Sequence, residues 1–136
     1  MSEYDKPLPR LDDANRPFWE GALAGELRLQ QCSGCGAHRF PARRHCSHCG
    51  GEESRWTTVS GRGTVWSHCR FHKAYFPGFS DEVPYNVVLV KLEEGPMLFS
   101  NLTGVPETEV RIGMEVVPYF DRVTDAVALV KFKPAP

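Results

Sequence analysis

At 136 residues the chain has room for about one ordinary domain plus a small satellite. Its 41% hydrophobic and 24% charged residues are those of a globular protein, and no apolar run approaches the ~20 residues of a membrane helix. The net charge of −1 hides an asymmetry that bears on partners: residues 28–79 carry eight basic groups against two acidic ones, whereas residues 80–136 carry five against nine. Within Met1–Arg10 no basic segment leads into an apolar one, so no secretory signal is legible and a cytoplasmic protein is expected.

The first predicted element is a short helix over Asn15–Gly25, with Asn15 as N-cap, Pro17 in the first turn and Gly25 as the stop. Its apolar face carries Phe18, Trp19, Ala22 and Leu23. A helix this short is unstable alone, so those aromatics must bury against this chain or against a partner. Glu26–Gln31 follows as a short strand, with Leu27 and Leu29 on one face.

Two knuckles come next, Cys32-Ser33-Gly34-Cys35-Gly36 and Cys46-Ser47-His48-Cys49-Gly50, with ten residues between Cys35 and Cys46. Two thiolates three positions apart can share one ion while the following glycine allows a tight turn, and four thiolates suit tetrahedral zinc. Clustered cysteines in a reducing compartment point to a metal and not to disulfides. Cys32, Cys35, Cys46 and Cys49 are therefore the expected ligands of a structural zinc, whose closed shell leaves no position for water or substrate. His38, His45 and His48 lie close in sequence but are expected to stay out of the shell. Phe40 and Pro41 are expected to pack against the site. A unit of this size has almost no core, and structural zinc would supply on the order of 10 kcal/mol of its folding free energy.

From Trp56 onward the pattern becomes strands punctuated by turns. Gly63–His72 alternates, placing Val65, Ser67, Cys69 and Phe71 on one face and Trp66, His68, Arg70 and His72 on the other. Cys69 is accordingly expected as a small buried side chain and not as a nucleophile. Tyr85–Leu92 turns at Glu93-Glu94-Gly95 into Pro96–Leu102, and Val116–Val123 turns at Thr124-Asp125 into Ala126–Phe132. Five strands without a convincing helix predict a small barrel, with the five-stranded OB-fold leading and an SH3-like barrel left open by periodicity. The expected fold is thus mainly β, divided into an N-terminal helical segment (1–26), a zinc ribbon (27–55) and an OB-fold domain (56–136).

This order of parts resembles the thiolase-associated proteins with a rubredoxin-like zinc ribbon and a C-terminal OB-fold, catalogued as domain of unknown function 35. Pro17-Phe18-Trp19-Glu20-Gly21, Leu29-Gln30-Gln31-Cys32, and Phe40-Pro41-Ala42-Arg43 before the second knuckle carry the likeness. So do Pro84-Tyr85-Asn86-Val87-Val88-Leu89-Val90-Lys91-Leu92 with Glu93-Glu94-Gly95-Pro96, and Ile112-Gly113-Met114-Glu115-Val116. Ala42 stands where many relatives have a second proline. The resemblance implies a non-catalytic accessory subunit, in a hetero-oligomer with a thiolase-fold enzyme (an acyl-CoA thiolase, acyltransferase or aldolase), that stabilises it and helps hold CoA.

CoA offers an adenine ring, phosphates and a pantetheine arm, which call for cations and aromatic surface. Arg43 and Arg44 are candidate cations, and His72, Lys73, Tyr75 and Phe76, running on to Pro77-Gly78-Phe79, form an unusually aromatic loop. In the competing reading Phe76 and Phe79 cap the barrel and the arginines serve only solubility. The alternative function is a nucleic-acid-binding module, since ribbons and OB-folds both do that work. The acidic excess of residues 80–136 argues against it.

Overall fold

A computed structural model describes residues 4–136. Helix α1 spans Arg16–Leu23, with a proline in its first turn. Asn15 sits at the N-cap position but does not cap with its side chain. It instead exchanges two bonds with Asp12: each residue's backbone N–H donates to the other's side-chain oxygen at 2.9 Å. The helix ends before Gly25, whose φ of 80° is open to glycine at no steric cost. Its aromatic face is covered by this chain. Phe18 is buried, edge-on to Trp19 at 5.0 Å between centroids and tilted against Phe40 at 5.1 Å. Phe40 therefore packs on the helix.

Strands β1 (Leu27–Cys32), β2 (His38–Arg39) and β3 (Ser54–Val59) form an antiparallel sheet in the order β2-β1-β3. All six residues of β1 pair with β3. Strands β4 (Gly63–Phe71), β5 (Tyr85–Leu92), β6 (Met97–Ser100), β7 (Glu115–Arg122) and β8 (Ala128–Pro134) form the second sheet in the order β6-β5-β4-β7-β8. A parallel bridge from Leu102, just past β6, to Phe132 on β8 brings its ends together. The result is a near-closed five-stranded barrel of OB type. At Gly63, where β4 pairs with both β5 and β7, a Cβ would overlap the Lys91 carbonyl, so only glycine permits the crossing.

One hydrophobic cluster joins the two sheets: Leu27 and Leu29 of β1 and Phe18 of α1 pack with Val65, Val88, Val90, Leu98, Leu102, Val116 and Phe132 of the barrel.

Strand β4 corrects one expectation. Its pairing steps from Val65↔Val90 to Ser67↔Leu89, leaving Trp66 as the extra residue of a bulge. Directly opposed residues share a face, so beyond the bulge His68 and Arg70 join the side of Val88 and Asn86, while Cys69 lies with Val87 on the outside. Cys69 is exposed, not buried, because one inserted residue reverses the alternation.

Candidate functional site

The metal centre is built from two near-identical turns. In the first, the Gly36 N–H donates to the Cys32 carbonyl at 2.9 Å, and in the second the Gly50 N–H donates to the Cys46 carbonyl at the same distance. Gly36 and Gly50 take φ of 79° and 78°, the left-handed step that each knuckle requires. Strand β1 delivers Cys32, and the chain then folds back so that all four sulfurs lie within 4.8 Å of one another. The Cys32–Cys49 and Cys35–Cys46 sulfurs are 3.6 Å apart, too long for disulfides. Zinc–sulfur bonds of about 2.3 Å in a tetrahedron put the sulfurs roughly 3.8 Å apart, so the cluster fits this ion without rearrangement.

Backbone donors prepare the site for metal. The Cys49 and His48 N–H groups lower the Cys46 thiol to about 6, and those of Cys35 and Gly34 lower Cys32. At Cys35 the Ala37 N–H pulls the other way, but the adjoining Cys46 sulfur and desolvation outweigh it and raise that thiol to about 11. Two of the three nearby histidines have other partners. His38 Nε2 lies 3.3 Å from Thr57 Oγ1, and His45 Nε2 lies 3.2 Å from Glu52.

The six residues expected near CoA fall into two sets. Arg43 and Arg44 lie on the ribbon, where the Arg43 guanidinium donates to the Phe40 carbonyl at 3.1 Å and Arg44 pairs with Glu52 at 3.1 Å. His72, Lys73, Tyr75 and Phe76 sit on the loop joining β4 to β5, all of them surface-exposed, with the Lys73 ammonium 5.1 Å above the Tyr75 ring. The base of that loop is an aromatic stack: Tyr85 lies between Phe71 at 5.2 Å and Phe79 at 4.9 Å, and Lys6 covers Phe79.

Three further features are not apparent from periodicity. A groove of about 370 Å³ opens beside Tyr4, Lys6, Tyr85, Asn101 and Lys131. One of about 900 Å³ gathers Arg62, Lys91 and Lys133 with Glu93 and Glu115. A third, of about 240 Å³, runs between β6 and β8 under Phe18, Trp19 and Phe40. None of the three is lined by the six residues expected near CoA. The outer face of β4–β6 also presents Trp66, 52% exposed under the Lys91 ammonium, and Phe99, 77% exposed. The signal for Phe99 was its place opposite Leu89 in the hairpin, which puts it on the outer face while Leu98 points inward.

Known proteins share this arrangement. Residues 19–55 match the family described as ChsH2, rubredoxin-like zinc ribbon domain, and residues 56–121 match ChsH2, C-terminal OB-fold domain. A probable enoyl-CoA hydratase alpha subunit of Thermomonospora curvata is 36% identical over 96% of this chain and 40% of its own length. The benzoylsuccinyl-CoA thiolase subunit BbsA of Thauera aromatica is 30% identical over 59% of this chain and 54% of its own. The chain thus spans about half or less of the length of these two relatives. A solved chain of the Ltp2-ChsH2(DUF35) aldolase superposes with a TM-score of 0.84 at 33% identity, covering 95% of this chain and all of that one.

Proposed function

The chain belongs to the DUF35 family of ChsH2-type zinc-ribbon and OB-fold proteins, and from that premise we propose that it is a non-catalytic accessory subunit of a thiolase-like enzyme acting on acyl-CoA. Members of the family have a thiolase-associated accessory role. The observation that carries the reading is the end-to-end match of ribbon and barrel to a chain of a two-component aldolase, with subunits of CoA-ester enzymes among the other relatives. The geometry of the ribbon supports it. A four-thiolate site uses all its positions on protein ligands and so serves to fold the ribbon. Cys69 points to the side of β4 opposite His68, away from a base that would activate it.

In this reading the ribbon and barrel hold surfaces for a thiolase-fold partner. His72, Lys73, Tyr75 and Phe76 reach toward the CoA moiety at the shared boundary, with Arg43 and Arg44 as flanking cations. The test is to purify the chain alone and with a thiolase-fold subunit from the same genome, then to follow acyl-CoA turnover. Activity is expected only in the mixture. Comparable turnover by the isolated chain would remove the proposal. Exchanging Lys73 and His72 for alanine should raise the KM for acyl-CoA in the complex and leave assembly intact.

The outer-face pair Trp66 and Phe99 favours a second reading, because the sheet face of an OB-fold is where single strands stack on aromatics. Salt-sensitive retention of single-stranded RNA in a filter assay would support it.

A further inference from the structure

The barrel is not sealed between β6 and β8. Leu92 N–H donates to the Pro96 carbonyl at 2.9 Å, which makes Leu92–Pro96 a hydrogen-bonded pair. By the antiparallel alternation Val90–Leu98 and Val88–Ser100 are hydrogen-bonded too, while the backbone groups of Met97 and Phe99 point away from β5. On the opposite wall Phe132 turns its backbone to the seam, donating to Asn101 and accepting from Thr103. The same alternation turns Val130 that way. Its carbonyl takes the Ser100 hydroxyl at 2.8 Å, and among the described residues no ladder joins β6 to β8 beyond the Leu102–Phe132 bridge, so Met97 and Phe99 face the seam as a strand edge. The third groove lies between these edges, lined by Phe18, Trp19, Phe40, Leu98, Phe99 and Val130.

We infer that this seam takes an extended peptide segment of the thiolase-fold subunit, added as a strand along β6. The inference rests on the accessory-subunit reading above. The groove's apolar lining alone would equally suit an acyl chain. The open backbone edge of β6 decides between the two, because a hydrocarbon offers an edge strand no hydrogen bonds and a peptide backbone pairs with it. The aromatic lining then provides pockets for alternate apolar side chains of the added strand. Ser100, already bonded across the seam, sets the depth to which the strand enters from the Met97 end. Phe99, mostly exposed at the lip, would be covered by it.

The test is amide hydrogen exchange on the full chain, alone and with the purified thiolase-fold subunit from the same genome. Met97, Phe99 and Val130 amides should exchange rapidly in the free chain and become protected in the complex. Phe99→Pro removes an N–H that points away from β5 and should weaken association about tenfold, more than Phe99→Ala, which removes only the side chain. A complex that forms with these three amides still exchanging freely overturns the seam while leaving the accessory reading intact. Failure of wild-type chains to associate overturns both. Protection of the same amides by palmitoyl-CoA without any protein partner would reassign the groove to the acyl chain and overturn the peptide.

Discussion

The Asn86 side-chain amide holds both backbone groups of Leu102: its Nδ2 donates to the Leu102 carbonyl and its Oδ1 accepts from the Leu102 N–H, each at 2.7 Å. The bond pair clips the start of β5 to the segment leaving β6, beside the Leu102–Phe132 bridge that brings the barrel's edges together. Both residues are buried. Asn86→Leu strands two buried backbone groups and should cost about 2–4 kcal/mol. Asn86→Asp keeps the acceptor, loses the donor and sets a carboxylate against the Leu102 carbonyl, so it too should destabilise. Urea denaturation followed by tryptophan fluorescence checks both; a midpoint unchanged in Asn86→Leu would show that the clip contributes nothing.

Removal of zinc should be felt in the barrel as well as the ribbon. Structural zinc supplies on the order of 10 kcal/mol to units of this size. Leu27 and Leu29 belong to the same cluster as Val65 and Phe132, and β3 extends the ribbon sheet to Val59, four residues before the barrel begins. Chelation, or Cys46→Ser, is therefore expected to lower a single melting transition seen alike by far-ultraviolet dichroism and tryptophan fluorescence. Two separate transitions, with only the first sensitive to chelator, would show that ribbon and barrel fold independently.

Much of this was legible from residues that act locally. The four-cysteine cluster follows from covalent spacing and glycine, and Tyr85–Leu92 matches β5 at both ends because a valine-rich run meets a glycine turn. What escaped depends on partners distant in sequence. The bulge at Trp66 has no local signature, since it exists only in the register against β5, and it moved Cys69 from inside to outside. Strand β3 carries Ser54, Arg55, Thr57 and Thr58, polar residues whose strand conformation comes from pairing with β1 and not from an apolar stripe. The seam groups of Met97 and Phe99 are backbone atoms, invisible to any side-chain pattern.

Lys131 links stability to alkaline pH. Its ammonium lies 2.7 Å from Asp121 on the adjoining strand, with its side chain 20% exposed. Burial, the largest single influence, lowers its pKa, but the hydrogen bond and charge of Asp121 outweigh it and the net shift is upward from 10.5. A raised lysine stabilises fully below its unfolded value and loses that contribution as pH rises through the folded one. The wild-type advantage over Lys131→Met should thus be level up to about pH 10 and shrink above it. Thermal melts of the two proteins between pH 8 and pH 12, on the order of the unfolded lysine value at mid-range, provide the comparison. A constant difference across that range would sink the assignment.

Thiol accessibility separates the five cysteines by role. Cys69 is exposed on the outer face of β4, two positions beyond the bulge's partner Ser67, and has no place in the metal cluster. The other four form the cluster that fits one zinc ion, whose binding would withdraw their sulfurs from reaction whatever their exposure. Zinc-loaded protein titrated with a chromogenic disulfide under native conditions should therefore show one rapidly reacting thiol per chain, lost in Cys69→Ser, and all five after chelation. A loaded protein with no reactive thiol would return Cys69 to the barrel interior and remove the bulge that places it outside. Two or more fast thiols in loaded protein would instead mean that the cluster does not hold its ion with all four cysteines.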